Sequence, residues 1–183
     1  MQDIYETERL VLKILGPTNA ELVLNYYLAN RAFLAEWEPM RSEDFYTQEY
    51  HKKQLQSDLN HIENGNLLRL WLFVKGNVNR IIGCVGFINI VRGAFLSCHL
   101  GYKSDKDEIN KGYATEAIQK GIDIVFNEFK LHRIEANIMP CNKQSLRVTE
   151  KLGFYNEGLA YKYLKISGNW ENHIHMVLLN DKV

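Results

Sequence analysis

The run Ile109-Asn110-Lys111-Gly112-Tyr113-Ala114-Thr115-Glu116-Ala117 sets one glycine between a β-like stretch over 96–103, with its charged turn at 104–108, and a helical pattern reaching about residue 129. A strand that feeds such a loop and then a helix offers free backbone N–H groups and the positive end of a helix dipole, which is the chemistry of a phosphate cradle. At Gly112 a side chain would obstruct close approach of an anion, and φ > 0 is accessible there. Lys111 adds charge. Each exposed helix-end interaction is worth only about 0.3–1 kcal/mol, so the N–H groups from Asn110 to Thr115 must share the work. An isolated glycine motif is a weak signal, because a plain helix start has the same spelling.

Two further constellations carry polar chemistry. Asn142 and Ser145 stand three apart at the head of a short helical pattern, the spacing of an N-cap and its N3 residue. His173 and His175 alternate on a β-like run and share a face, but a metal needs more ligands than this pair supplies. No metal is expected.

The elements that position these residues belong to a chain of 183 residues, 46% hydrophobic and 24% charged, enough for one domain over 1–183 with a sizeable core. The formal net charge is zero, which gives no indication of broad binding to nucleic acid. No apolar leader or membrane-length span is present, so no membrane association is expected. Cys84, Cys98 and Cys141 are odd in number and lack metal-type spacing, and they read as reduced thiols of a cytoplasmic protein. Cys141 adjoins the short helix, where a packed small residue is the expected role.

The pattern predicts strands over 9–15, 67–75, 80–91, 95–103, 132–139, 157–166 and 170–179. Helices are predicted over 18–30, 47–63, 113–129 and 142–152, with an aromatic and acidic loop over 32–44. Turns fall at 76–79, 92–94 and 167–169, and Gly83 and Gly86 inside one strand suggest a bulge or a close backbone approach. The order β-α-α-β-β-β-α-β-α-β-β implies an α/β fold of the α+β type, a mixed sheet with helices on both faces.

That order, Lys111-Gly112-Tyr113-Ala114, and the stretch HRIEANIMPCNKQSLRVTEKLGF from His132 resemble the GNAT superfamily of acetyl-CoA-dependent N-acetyltransferases. ANRAFLAEWEP from Ala29, VRGAF from Val91, HLGY from His99 and ISGNWENH from Ile166 are similar to the Rim branch of that superfamily, in its alanine-specific RimJ type, which acetylates N-termini of ribosomal proteins. The resemblance spans nearly the whole chain. It implies a mostly antiparallel seven-stranded sheet whose fourth and fifth strands splay apart, exposing backbone groups that bind the pantetheine arm like an added strand. It then assigns Tyr102, Lys103, Ser104 and Asn142 to pantetheine, and Asn110, Lys111, Gly112, Tyr113, Ala114 and Thr115 to the pyrophosphate of CoA. Ser145 falls near the thioester sulfur, where a hydroxyl protonates the departing thiolate. Ile109 stands where the family pattern has Gln or Arg, and Asn110 where many relatives have glycine. Thr149 occupies the place of the usual acidic tyrosine, and Asn137 the place of a basic glutamate.

The base candidates are Glu135, for which a cross-strand ion pair is the competing reading, and Glu38, for which a solvated loop acid is. Phe33, Trp37 and Glu38, with Phe45, are expected to line the acceptor groove, the aromatics competing with a role as a lid over the core. The implied partner is the N-terminus of a small-subunit ribosomal protein, with the enzyme a monomer or homodimer. An α-amine has a pKa near 7.7–8.0 and a lysine near 10.4, so neutralising them at pH 7 costs about 1 and more than 4 kcal/mol at 1.36 kcal/mol per unit. A chain without an obvious base therefore suits an α-amine. The alternatives are acetylation of a small-molecule amine and non-catalytic binding of acyl-CoA. Gly112→Val is expected to weaken CoA binding sharply; unchanged affinity in a calorimetric titration removes the phosphate assignment.

Overall fold

The computed structural model describes residues 2–183. Its strands are β1 (Ile4–Glu6), β2 (Leu10–Lys13), β3 (Leu68–Val74), β4 (Gly83–Val91), β5 (Ser97–Ser104), β6 (Arg133–Ile138), β7 (Tyr155–Ile166) and β8 (Asn169–Leu179). The helices are α1 (Ala20–Ala29), α2 (Arg31–Ala35), α3 (Gln48–Glu63), α4 (Tyr113–Asn127) and α5 (Lys143–Lys151). All eight strands form one sheet in the order β1-β2-β3-β4-β5-β6-β8-β7. The eighth strand, absent from the sequence-based expectation of seven, is β1; at three residues it is too short to show an alternation. Within the expected loop over 32–44, α2 supplies a short helical turn. The strand expected from residue 95 begins at Ser97, because Leu96 takes φ +42 and leaves the ladder.

Alternation along the strands divides the core between two faces. In β3, Leu68, Leu70 and Leu72 join the cluster beneath α4 and α5, whereas Trp71 and Phe73 join the one beneath α1 and α3. The α4 helix meets its cluster through Ala117, Ile118, Ile122 and Val125, a stripe at helical spacing.

Every neighbouring pair is antiparallel except β5 and β6, which the α4 crossover makes parallel. That pair is short: Ser97↔Arg133, Cys98↔Ile134 and His99↔Glu135. Beyond it β5 stays with β4 as far as Ser104, and β6 stays with β8 as far as Ile138. The two strands therefore part, each held by its outer neighbour, and a wedge opens in the middle of the sheet.

Two close approaches set the geometry around the wedge. A Cβ on Gly83 would lie 2.6 Å from the Lys103 carbonyl oxygen, so the close backbone approach falls there and not at Gly86, whose nearest contact would be 3.7 Å. A Cβ on Gly121 would lie 2.3 Å from the ring of Phe87, which is wholly buried and has nowhere to swing. Gly121 thus lets α4 settle directly on β4. Gly121→Ala is expected to destabilise the fold by about 1–3 kcal/mol through overpacking, despite the better helix propensity of alanine. Urea denaturation checks the sign.

Candidate active site

The glycine loop and the start of α4 are held from three directions. Gly112 is the N-cap of α4 at φ +82, and Asn110 takes the left-handed region at φ +62. With no side chain at the cap, no side-chain hydrogen bond consumes the first N–H groups of the helix. Arg9, beside β2, donates from Nη1 to the Lys111 carbonyl at 2.9 Å and from Nε to Glu116 at 2.7 Å, while its backbone N–H and the Thr7 hydroxyl bond the same carboxylate. Burial raises the Glu116 pKa, but the Thr7 and Arg9 bonds outweigh it and the carboxylate stays ionised below its ordinary range. Arg80 ties Asp105 and Glu108 on the approach to the loop, and Gln144 of α5 donates to Asn110 at 2.9 Å. The Lys111 ammonium pairs with Glu108 at 2.8 Å. Tyr113 and Ala114 pack partly against the core, and Thr115 is half-buried in the first turn.

Next to this loop lies the wedge. From Leu100 onward, the edge of β5 that faces β6 has no strand partner, and Tyr102, Lys103 and Ser104 lie along it. Alternation sends the Tyr102 side chain to the α4–α5 face, where its hydroxyl meets Ser145 Oγ at 2.7 Å. Asn142 caps α5 by accepting from the Ser145 N–H at 3.0 Å, which fixes Ser145 at the mouth of the wedge. Burial pushes the Tyr102 phenol up to about 12, a rise that the Ser145 bond only partly offsets. Thr149 is fully buried and donates back to the Leu146 carbonyl at 2.9 Å, so it serves the helix and not the wedge. The phenol missing from Thr149 is instead supplied across the gap, from β5. Cys141, expected to be packed, is exposed because the turn before α5 carries it outward.

The opposite face of the wedge opens into a cavity of about 580 Å³ lined by Tyr27, Trp37, Glu38, His51, Lys103 and Asn137, among others. Gly86 and Gly101 stand opposite each other in register and both line it, so two missing side chains make its floor. Lys103 sends its ammonium here, to Glu38 and to the Tyr27 hydroxyl. Arg41 also binds Glu38, at 3.1 Å. Burial raises the Glu38 carboxyl, but Lys103 and Arg41 more than reverse this and hold it below the usual carboxylate range. Glu38 is thus not the free loop acid that a general base requires. Glu135 stands at the apex of the wedge, outside the cavity wall, bound to Arg133 at 2.8 Å and to His175 Nδ1 at 2.7 Å. Its carboxyl is raised by burial and lowered further by those two bonds; the ion pair is made with Arg133 of the same strand, and the contact across the ladder is with His175. Trp37 lines the cavity, as does Phe45, whereas Phe33 packs against the core under α1 and α3 and does not reach it. Among the described residues no group of three or more His, Cys, Asp or Glu is placed to hold a metal.

A phosphate-type loop, a parted pair of strands and a cavity on the far side form a recognisable set. The family profile described as "Acetyltransferase (GNAT) domain" matches residues 9–155. The chain belongs to the GNAT acetyltransferase family. It is 36% identical over 168 residues to the ribosomal protein uS5-alanine N-acetyltransferase of Escherichia coli (strain K12), covering 92% of this chain and 86% of that one. The crystal structure of the ribosomal-protein-S5-alanine acetyltransferase from Vibrio fischeri superposes with a TM-score of 0.94 at 36% identity, over 98% of each chain. Mycobacterium smegmatis RimJ in complex with CoA-disulfide gives a TM-score of 0.87 at 26% identity, over 95% of this chain and 83% of that one.

This acetyltransferase is thus an acetyl-CoA-dependent N-acetyltransferase with the mixed GNAT fold. Three features of its site escape the sequence. The Arg9 strut lies 102 residues from Lys111 and leaves no local signature. The Lys103 side chain belongs to the cavity, while its backbone faces the wedge. The Tyr102 phenol reaches Ser145 from 43 positions away, on the face opposite Lys103. Gly101→Val is expected to raise the KM for the acceptor amine without displacing acetyl-CoA, because a Cβ at Gly101 meets nothing within 4 Å and grows into the cavity. Steady-state kinetics varying each substrate in turn checks this, with a melting curve to confirm the fold.

Proposed function

We propose that this acetyltransferase transfers the acetyl group of acetyl-CoA to the N-terminal α-amine of a polypeptide, a ribosomal protein that begins with alanine, and that residues 1–183 act as one domain in the cytoplasm. Among the described residues no helix is long and apolar enough to cross a membrane. The observation that carries the reading is the wedge between β5 and β6, with the Tyr102–Ser145 pair on one face and a cavity open to solvent on the other. The names of the E. coli and V. fischeri relatives support the choice of acceptor.

In this mechanism the N–H groups from Asn110 to Thr115 bind the pyrophosphate, and the free edge of β5 at Tyr102, Lys103 and Ser104, with Asn142, binds the pantetheine. The acceptor amine arrives neutral from the cavity side and attacks the thioester carbonyl. The C–N bond forms, the C–S bond breaks, the amine proton leaves to water, and the thiolate takes up a proton to become free CoA. Ser145, held by Tyr102, stabilises the departing sulfur as a hydrogen-bond donor. Outright proton transfer is the weaker route: an ordinary thiol has a pKa near 8.5, so a phenol at about 12 gives up its proton at a cost of about 5 kcal/mol.

Both carboxylates on the cavity wall, Glu38 and Asp58, are ion-paired, which supports an acceptor that deprotonates readily without a base. An α-amine meets that condition and a lysine does not. The cavity volume also suits a small-molecule amine, and one assay separates the two. Thiol release is measured with a ribosomal-type peptide beginning with alanine, the same peptide N-terminally blocked but carrying lysine, and a panel of aminoglycosides, polyamines and amino-acid derivatives. Turnover on the first alone is expected; turnover on small amines alone sinks the polypeptide reading. Ser145→Ala and Tyr102→Phe are each expected to lower kcat, by roughly 10- to 100-fold and less for the second, as for loss of a hydrogen bond to a charged group. Acetyl-CoA affinity should change little. If kcat holds in Ser145→Ala, Ser145 is only part of the α5 cap.

A further inference from the structure

The inner wall of the cavity carries a polar group that the transfer chemistry leaves unused. On α3 the core-facing stripe consists of His51, Leu55, Asp58 and Ile62, a spacing at which apolar residues are the rule. Asp58 is accounted for, bound to Arg69 at 2.5 Å and to Gln54 at 2.9 Å. His51 is not. It is only 2% exposed, it forms part of the cavity wall, and its Nε2 has no hydrogen-bond partner. Three rings enclose it: Tyr27 lies parallel at 5.1 Å between centroids, Phe45 stands edge-on at 5.0 Å and Tyr50 at 5.5 Å.

The state of the ring defines what it can accept. Burial, and behind it the charges of Arg41 and Lys103, push the His51 pKa down to about 4, against a bond to the Phe45 backbone that raises it. A bond that raises a histidine's pKa is one the ring donates. Because Nε2 has no partner, that bond falls to Nδ1, and in this tautomer Nε2 carries a bare lone pair. An enclosed acceptor without a partner is a standing cost that a ligand's donor relieves. The surrounding charge decides which donor. The cavity wall carries the cations Arg41, Arg69 and Lys103 against the carboxylates Glu38 and Asp58, an excess of one positive charge, so a cationic donor is repelled and an uncharged one is not. Tyr27 links this place to the rest of the cavity: its ring stacks on His51, and its hydroxyl accepts from Lys103 at 3.3 Å, beside Glu38.

We propose that His51 forms the floor of a side-chain specificity subsite, which takes a hydroxyl or carboxamide from the second or third residue of the acceptor polypeptide. The subsite rests on the polypeptide reading of the acceptor. The test uses the full chain with acetyl-CoA and alanine-starting peptides that carry threonine, its isostere valine, or lysine at the second or the third position. At one position the threonine peptide is expected to exceed the valine peptide in kcat/KM by roughly three- to tenfold, the value of one hydrogen bond, and to exceed the lysine peptide as well. His51→Phe keeps an aromatic ring against Tyr27 and should bring the threonine-to-valine ratio close to one. As a readout that needs no variant, the Nε2 resonance of ¹⁵N-histidine-labelled protein should move on adding the threonine peptide with CoA, and not with the valine peptide. Equal turnover of the threonine and valine peptides at both positions overturns the subsite and leaves the polypeptide reading standing. A ratio that survives in His51→Phe also overturns it. No turnover on any peptide removes the polypeptide reading and the subsite together.

Discussion

The parallel pairing of β5 with β6 stops after His99↔Glu135, and the working parts of the molecule depend on where it stops. Buried backbone N–H and C=O groups are almost always paired. A sheet that abandons a ladder in its interior leaves an edge whose donors and acceptors must be met by water or by a ligand. Here the abandoned edge is Leu100 to Ser104, adjacent to the loop that starts α4. The outer ladders do not yield with it, because β4 holds β5 to its end and β8 holds β6 to its end. The opening is therefore framed on both sides by intact ladders, with the glycine loop toward one face and the cavity toward the other. Strand alternation distributes the side chains between them: Leu100 and Tyr102 go to the α4–α5 face, His99, Gly101 and Lys103 to the cavity.

Electrostatics on the two faces differ in kind. On the α4–α5 side, α4 begins with N–H groups that no cap consumes, and the nearby acid, Glu116, is neutralised by Arg9. An anion meets donors there without meeting an unpaired carboxylate. On the cavity side each carboxylate is bound to a cation. Glu38 is the instructive case: from its position in an aromatic loop it reads as a candidate base, yet Lys103 and Arg41 spend its charge. A carboxylate held ionised by two cations has little tendency to take a proton. This is in keeping with the proposed acceptor, an amine that loses its proton readily.

Much of the fold was legible in the chain. The apolar run of β3, the helical stripe of α4 and the turn residues between strands follow from local pattern and backbone preference, which are short-range properties. The missed β1 is three residues long and is held by its pairing with β2, which no local pattern announces. The glycine loop was legible for the same reason as the strands, since its shape is mostly backbone geometry at Asn110 and Gly112. Side-chain partnerships were less so. Asn142 as a cap for Ser145 is a contact three residues away and could be read; the phenol at Ser145 comes from Tyr102, 43 positions earlier, and could not.

By itself the sequence determined the order of the elements other than β1 and α2, and the turn that opens α4, because each is encoded in neighbours a few residues apart. Only the tertiary structure decided which groups meet: Arg9 at the glycine loop, Tyr102 at Ser145, Lys103 at Glu38, and His51 left without a partner in the cavity wall. Register and crossover bring together residues dozens of positions apart. Whether a carboxylate is a base or half of an ion pair, and whether an imidazole is satisfied or waiting for a donor, depends on those distant neighbours.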